Sequence, residues 1–148
     1  MFKIGLLADI PYIIPAVACV FEREWPDYWA ARGEGEAERQ LSTGVWLVAL
    51  ENDAPIGVVA LRARPLPGAD QLHLMPALTG LLVDPAHRCK GVGGKLIEAG
   101  ANLAKARGDK RLYSTPVGAA RLVERQGWRA VDTINMDGKP VRVFAVDL

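Results

Sequence analysis

The chain has 148 residues, of which half are apolar and 24% are charged. Eighteen Lys and Arg stand against seventeen Asp and Glu, a net charge of +1. This is globular composition, and the balance argues against a general nucleic-acid or membrane-surface binder. Cys19 and Cys89 lie far apart and outside any CxxC pattern, so a disulfide scaffold and a zinc ribbon are excluded. No apolar run approaches the ~20 residues of a membrane span, and the N-terminal apolar stretch is too short for a signal peptide. The expectation is a soluble, cytoplasmic protein with one domain over residues 1–148.

Residues Phe2 to Leu7 alternate weakly and predict a first strand. Ile13, Val17, Phe21 and Trp25 fall four apart and mark one helix face. Trp25-Pro26 ends that helix. Residues Ala30 to Leu41 are polar and predict a short, largely solvated second helix. Val45 to Leu50 and Ile56 to Ala63 predict a hairpin across Glu51-Asn52-Asp53-Ala54-Pro55. Leu78 to Val83 reads as a buried strand, closed by Asp84-Pro85. Glycines 91, 93 and 94 open a helix that ends at Gly108. Arg111 to Ser114 is a short strand, and Val117 to Gln126 a short helix with Gly127 as its C′ residue. Trp128 to Ile134 and Val141 to Leu148 are joined through the turn signal Asp137-Gly138. The order β-α-α-β-β-β-α-β-α-β-β predicts an α/β fold, an antiparallel meander followed by a βαβ crossover.

The chemistry concentrates between Leu81 and Leu96. A buried strand runs into a turn, then Arg88, then glycines that open a helix. Glycine lets the backbone approach a ligand closely, and the first N–H groups of a helix point outward at its positive dipole end. Together they form an anion site, for which phosphate is the usual occupant. A P-loop fails here, because position 89 is Cys and position 96 is Leu. A Rossmann fingerprint fails because Leu96 stands where the third glycine belongs.

What fits is R-x-x-G-x-G over Arg88, Gly91 and Gly93. This resembles the acetyl-CoA pyrophosphate loop of the GNAT superfamily of N-acetyltransferases. The approach Val83-Asp84-Pro85 to Arg88, and the string Glu124-Arg125-Gln126-Gly127-Trp128, resemble the family's patterns too. So does the element order, and the likeness covers the whole chain. Leu7-Ala8-Asp9-Ile10-Pro11 with Glu24-Trp25, and Pro76 to Gly80, resemble a bacterial branch of the family.

The resemblance implies a mixed, mostly antiparallel sheet of six to seven strands flanked by about four helices. It implies an acetyl-CoA-dependent N-acetyltransferase whose acceptor is a primary amine of a small molecule or peptide. The backbone of Leu81, Leu82 and Val83 would bind the pantetheine arm as an added strand. Main-chain N–H groups across Cys89, Lys90, Gly91, Val92, Gly93 and Gly94 would hold the pyrophosphate, with Arg88, Lys90 and Lys95 adding charge. No metal is expected, and a homodimer is common in the family. Residues 84–111 hold seven Lys and Arg against three Asp and Glu, which suits an anionic donor. Residues 22–39 hold six acidic against three basic residues, which suits an amine or is simply a solvated surface.

Two departures stand out. Family members often carry a Tyr on the last helix as acid for the departing thiolate; Leu122 and Val123 stand there. Tyr113 on the preceding strand is the candidate substitute. The fourth strand also carries no carboxylate over 77–82. Glu24 is therefore the main candidate base, with Asp27, His73 and Asp84 as others. Trp25 completes the first helix's apolar stripe, whereas Tyr28 and Trp29 are candidate walls of an acceptor pocket. The missing Tyr keeps a rival reading open: a non-catalytic acyl-CoA-binding sensor or partner subunit.

Overall fold

The computed structural model describes residues 1–63, 74–116, 118–136 and 138–148. His73, Val117 and Asp137 lie outside the described residues. The elements in chain order are β1 (Lys3–Leu6), α1 (Ile14–Glu24), α2 (Pro26–Ala30), α3 (Glu36–Leu41), β2 (Val45–Glu51), β3 (Ala54–Arg62), β4 (Ala77–Val83), α4 (Val92–Ala106), β5 (Arg111–Ser114), α5 (Ala120–Glu124), β6 (Arg129–Met136) and β7 (Lys139–Asp147). The seven strands form one sheet in the order β1-β2-β3-β4-β5-β7-β6. Every pairing is antiparallel except β4 with β5. That parallel pair is the crossover that the βαβ pattern predicts, with α4 as its helix.

The central strands show why both faces are covered. Along β2, Trp46 and Val48 turn one way, and Leu47 and Ala49 the other. Along β3, Val58 and Ala60 separate from Val59 and Leu61 in the same manner. One face packs on Val17, Phe21, Trp29, Ala37 and Leu41 of α1 to α3. The other packs on Leu96 and Ile97 of α4 and Val123 of α5. Near-continuous apolar strands are what a sheet sandwiched between helices requires. Each fully buried Leu or Ile contributes about 1.5–3 kcal/mol of burial free energy.

The local signals act where they stand. Pro15 occupies the first turn of α1, where it costs no intrahelical bond. The β2–β3 hairpin closes on Asn52 and Asp53, both left-handed at φ +51° and +63°. That is a two-residue turn whose twist matches the strands, tighter than the five-residue connection read from sequence. Gly127 ends α5 at φ +87°, and the Trp128 N–H reaches back to the Val123 carbonyl at 3.1 Å.

One expected helix divides into two. Residues 30–41 do not form a single helix; α2 begins at Pro26, and α3 starts only at Glu36. Gly33 (φ +102°) and Gly35 (φ +76°) take conformations that no helix interior contains. Nor is the segment simply solvated, since Trp29, Ala37 and Leu41 are buried. The described α-helices therefore number five.

Candidate functional site

The sheet opens in its middle. β4 and β5 pair only at Ala77 with Tyr113 and Leu78 with Ser114. Beyond Leu78, the stretch from Thr79 to Val83 has no strand partner on that side among the described residues. Two features cause the splay. Pro116 follows β5 and has no N–H to continue the ladder. In β4 the register with β3 shifts, so that Gly80 and Leu81 together face Val59. Gly80 adopts φ +64°, and such a bulge bends and twists its strand. The buried Ser114 hydroxyl donates to the Leu78 carbonyl at 3.0 Å, at the last paired position.

The open strand leads into the glycine loop. Asp84 caps the turn, accepting from the Ala86 N–H at 3.4 Å, and a short 3-10 turn spans Pro85–His87. Cys89 and Gly91 are left-handed, at φ +62° and +83°. Lys95 is the first residue of α4 whose N–H finds its helical acceptor, the Gly91 carbonyl at 3.0 Å. Among the described residues, no N–H from Cys89 to Gly94 has an acceptor. Unpaired N–H groups fanned over left-handed turns at a helix start form an anion-binding concavity. Cys89 is the unexpected member. A left-handed conformation costs a non-glycine residue about 1–2 kcal/mol, and such strain collects at functional sites. Sequence gave no sign of it.

α5 backs this loop. A Cβ on Gly93 would lie 3.2 Å from Leu122 and 3.6 Å from Val83. The Gln126 side-chain amide donates to the Gly94 carbonyl at 2.7 Å. Gly93 thus admits α5 as well as any ligand. The sequence reading foresaw none of these α5 contacts.

Arg88 turns back from the loop. Its Nε donates to the Val83 carbonyl at 3.1 Å, and its Nη2 lies 3.6 Å from Glu24. Glu24 ends α1 and also receives Nε of Arg23 at 3.1 Å. Arg23 in turn reaches Asp84 at 3.5 Å, and His87 Nδ1 stands 3.6 Å from Asp84. Lys90 is exposed, and Lys95 lies 3.5 Å from Glu98.

The other candidates lie on β5 and on or beside α2. Tyr113 is half-buried on β5, pairs with Ala77, and carries the Arg111 guanidinium 5.3 Å from its ring centre. Trp29 is only 6% exposed and sits in the core against Phe21. Trp25, read from sequence as core, is the more exposed of the two tryptophans. Tyr28 is exposed, and its ring already carries the Arg32 guanidinium at 3.4 Å. Asp27 is exposed in the first turn of α2. Where family members carry the Tyr, Val123 is buried and Leu122 packs towards Gly93.

The open edge of β4 thus feeds a loop of unpaired N–H groups. The model of the acetyltransferase (GNAT) family matches residues 11–128. The chain belongs to the GNAT family. The GNAT fold extends across it. An aminoglycoside 6′-N-acetyltransferase complexed with coenzyme A superposes with a TM-score of 0.75 at 13% identity, over 99% of this chain and 96% of that one. An N-acetyltransferase from Staphylococcus aureus Mu50 gives 0.67 at 14% identity, over 99% and 98%. The polyamine N-acetyltransferase of Drosophila melanogaster gives 0.58 at 22% identity, over 78% and 82%. No curated protein matches in sequence. Among the described residues, no helix is long and apolar enough to cross a membrane.

Proposed function

We propose that this GNAT chain transfers an acetyl group from acetyl-CoA to a primary amine of a small molecule or peptide. The observation that carries the reading is the run of unpaired N–H groups from Cys89 to Gly94 at the end of a strand with one open edge. In this reading the loop N–H groups hold the pyrophosphate, and Leu81 to Val83 receive the pantetheine amides as an added strand. The donor supplies the thioester carbon that the amine attacks. A main-chain N–H at the splay stabilises the oxyanion, since preorganised donors act there without reorganisation. Holding both reactants in one groove supplies much of the acceleration.

Proton handling limits the acceptor. A lysine amine at pKa ~10.4 costs nearly 5 kcal/mol to deprotonate at pH 7, against about 1–1.4 for an α-amine. The fourth strand offers no carboxylate, so an amine of low pKa is the better acceptor. Tyr113 is the phenol placed on the strand beside the splay. Releasing a thiolate of pKa ~8.5 near pH 7 without a matched acid costs only about 2 kcal/mol.

One observation favours a second reading. The place of the usual Tyr is filled by Leu122 and Val123, which pack inward, so no acid reaches the thiol from there. A non-catalytic acyl-CoA-binding subunit has that property. Calorimetric titration with acetyl-CoA, CoA and ATP tests the donor site. Micromolar binding of the first two with ATP ignored supports it, and no binding removes both readings. Thiol release in an amine screen then separates enzyme from sensor.

A further inference from the structure

We infer that Glu24 is a positioning residue of the donor site, acting through Arg88. The inference rests on the acetyl-CoA reading above and differs from the general-base role that its place in the sequence suggests. Glu24 is the last residue of α1, and its side chain is 19% exposed. Its two carboxylate oxygens are both turned to guanidinium groups: Oε2 to Arg23 at 3.1 Å and Oε1 to Arg88 at 3.6 Å. Neither arginine ends there. Arg88 reaches the carbonyl of Val83, the last residue of β4, and Arg23 reaches Asp84, which caps the next turn. One carboxylate therefore holds two cations that grip consecutive residues at the exit of the open strand.

The electrostatics make Glu24 the keystone of this set. Without its charge, Arg23 and Arg88 face each other as like charges. The exposed contact of Arg88 on Val83 is then free to break. Arg88 is also the residue that leads into Cys89 and the unpaired N–H groups, so its release loosens the loop that holds the pyrophosphate. The same carboxylate sits next to Trp25 and Pro26, where the chain turns into α2. It thus joins the donor loop to the helix bearing Tyr28 and Trp29.

The test is a double-variant cycle on CoA affinity, measured by calorimetry with Glu24→Gln, Glu24→Asp, Arg88→Met and the Glu24→Gln/Arg88→Met pair. Glu24→Gln is expected to weaken CoA about fivefold, the upper range for a partly exposed ion pair. Glu24→Asp keeps the charge and restores part of the affinity. Adding Glu24→Gln to Arg88→Met changes nothing further. Melting temperatures of all four variants separate loss of the site from loss of the fold. Wild-type affinity in Glu24→Gln, or effects that multiply in the pair, would overturn the inference while leaving the donor site intact. Failure of the wild type to bind CoA would overturn the acetyl-CoA reading, and this inference with it.

Discussion

The side-chain amide of Gln126 donates to the carbonyl of Gly94 at 2.7 Å and ties the end of α5 to the first turn of α4. A Cβ on Gly94 would stand 3.5 Å from the same amide nitrogen, an ordinary van der Waals distance, so the contact does not itself require glycine. Replacing Gln126 by Leu removes the donor and leaves the carbonyl its helical partner only. The expected cost is about 1 kcal/mol of stability, that of one neutral hydrogen bond. CoA binding should weaken as well, since this turn presents the N–H groups. Urea unfolding and calorimetry check the two effects. Unchanged CoA affinity would show that α5 supports the fold but not the loop.

Gly93 is a poor probe of the ligand site. It is buried and faces Leu122 and Val83, so a bulky residue there disturbs the fold as well as the loop. Gly93→Val is expected to lose about 1–3 kcal/mol by overpacking, together with binding. A melting temperature equal to wild type would contradict that packing.

Gly80 carries two constraints at once. It is left-handed at φ +64°, and an added Cβ would lie 3.1 Å from the Trp46 ring. Gly80→Ala is expected to cost about 2–4 kcal/mol, combining backbone strain with crowding of the core. Chemical denaturation measures it. A cost below about 0.5 kcal/mol, the ordinary range for an unremarkable surface change, would mean that the bulge relaxes freely.

Cys89 offers a direct footprint of the donor. It is exposed within the loop, while the other thiol, Cys19, is exposed on α1. In a Cys19→Ser background, iodoacetamide should label Cys89 about tenfold more slowly at acetyl-CoA concentrations ten times Kd. ATP at the same concentration should not protect it. Equal labelling rates with and without acetyl-CoA would place the donor elsewhere.

Glu36 makes stability slightly acid-sensitive. The Arg39 guanidinium hydrogen-bonds its carboxylate at 2.8 Å and holds it below the usual carboxylate range. A lowered folded-state value means stability that is present above the unfolded value and lost as pH falls through the folded one. The urea midpoints of wild type and Glu36→Gln should differ by a constant amount near neutral pH. They should converge below about pH 4. A difference that grows in acid would reverse the sign.

Much of this protein was legible from short-range signals. The alternation in Val45 to Leu50, the glycines at 91, 93 and 94, and Gly127 after its helix each act within a few residues of where they stand. The glycine loop was therefore readable as a motif. The α2–α3 region was not, because its polar composition hid Ala37 and Leu41, whose burial depends on a sheet face built from residues 46–60. Trp29 was misread for a related reason: helical periodicity cannot extend through Pro26, where a new helix begins with its own orientation, and Trp29 joins the core against which Trp25 also packs.

The sequence by itself determined the family, the order of the strands along the chain and the place of the glycine loop. Each rests on periodicity and on backbone freedom that neighbouring residues carry. Only the tertiary structure decided what surrounds that loop. Gln126 meets Gly94 across 32 positions of chain, and Glu24 meets Arg88 because α1 ends where β4 exits the sheet. Such contacts depend on how helices seat against a twisted, splayed sheet. No local pattern records that geometry, since it is set by the packing of side chains distant in sequence.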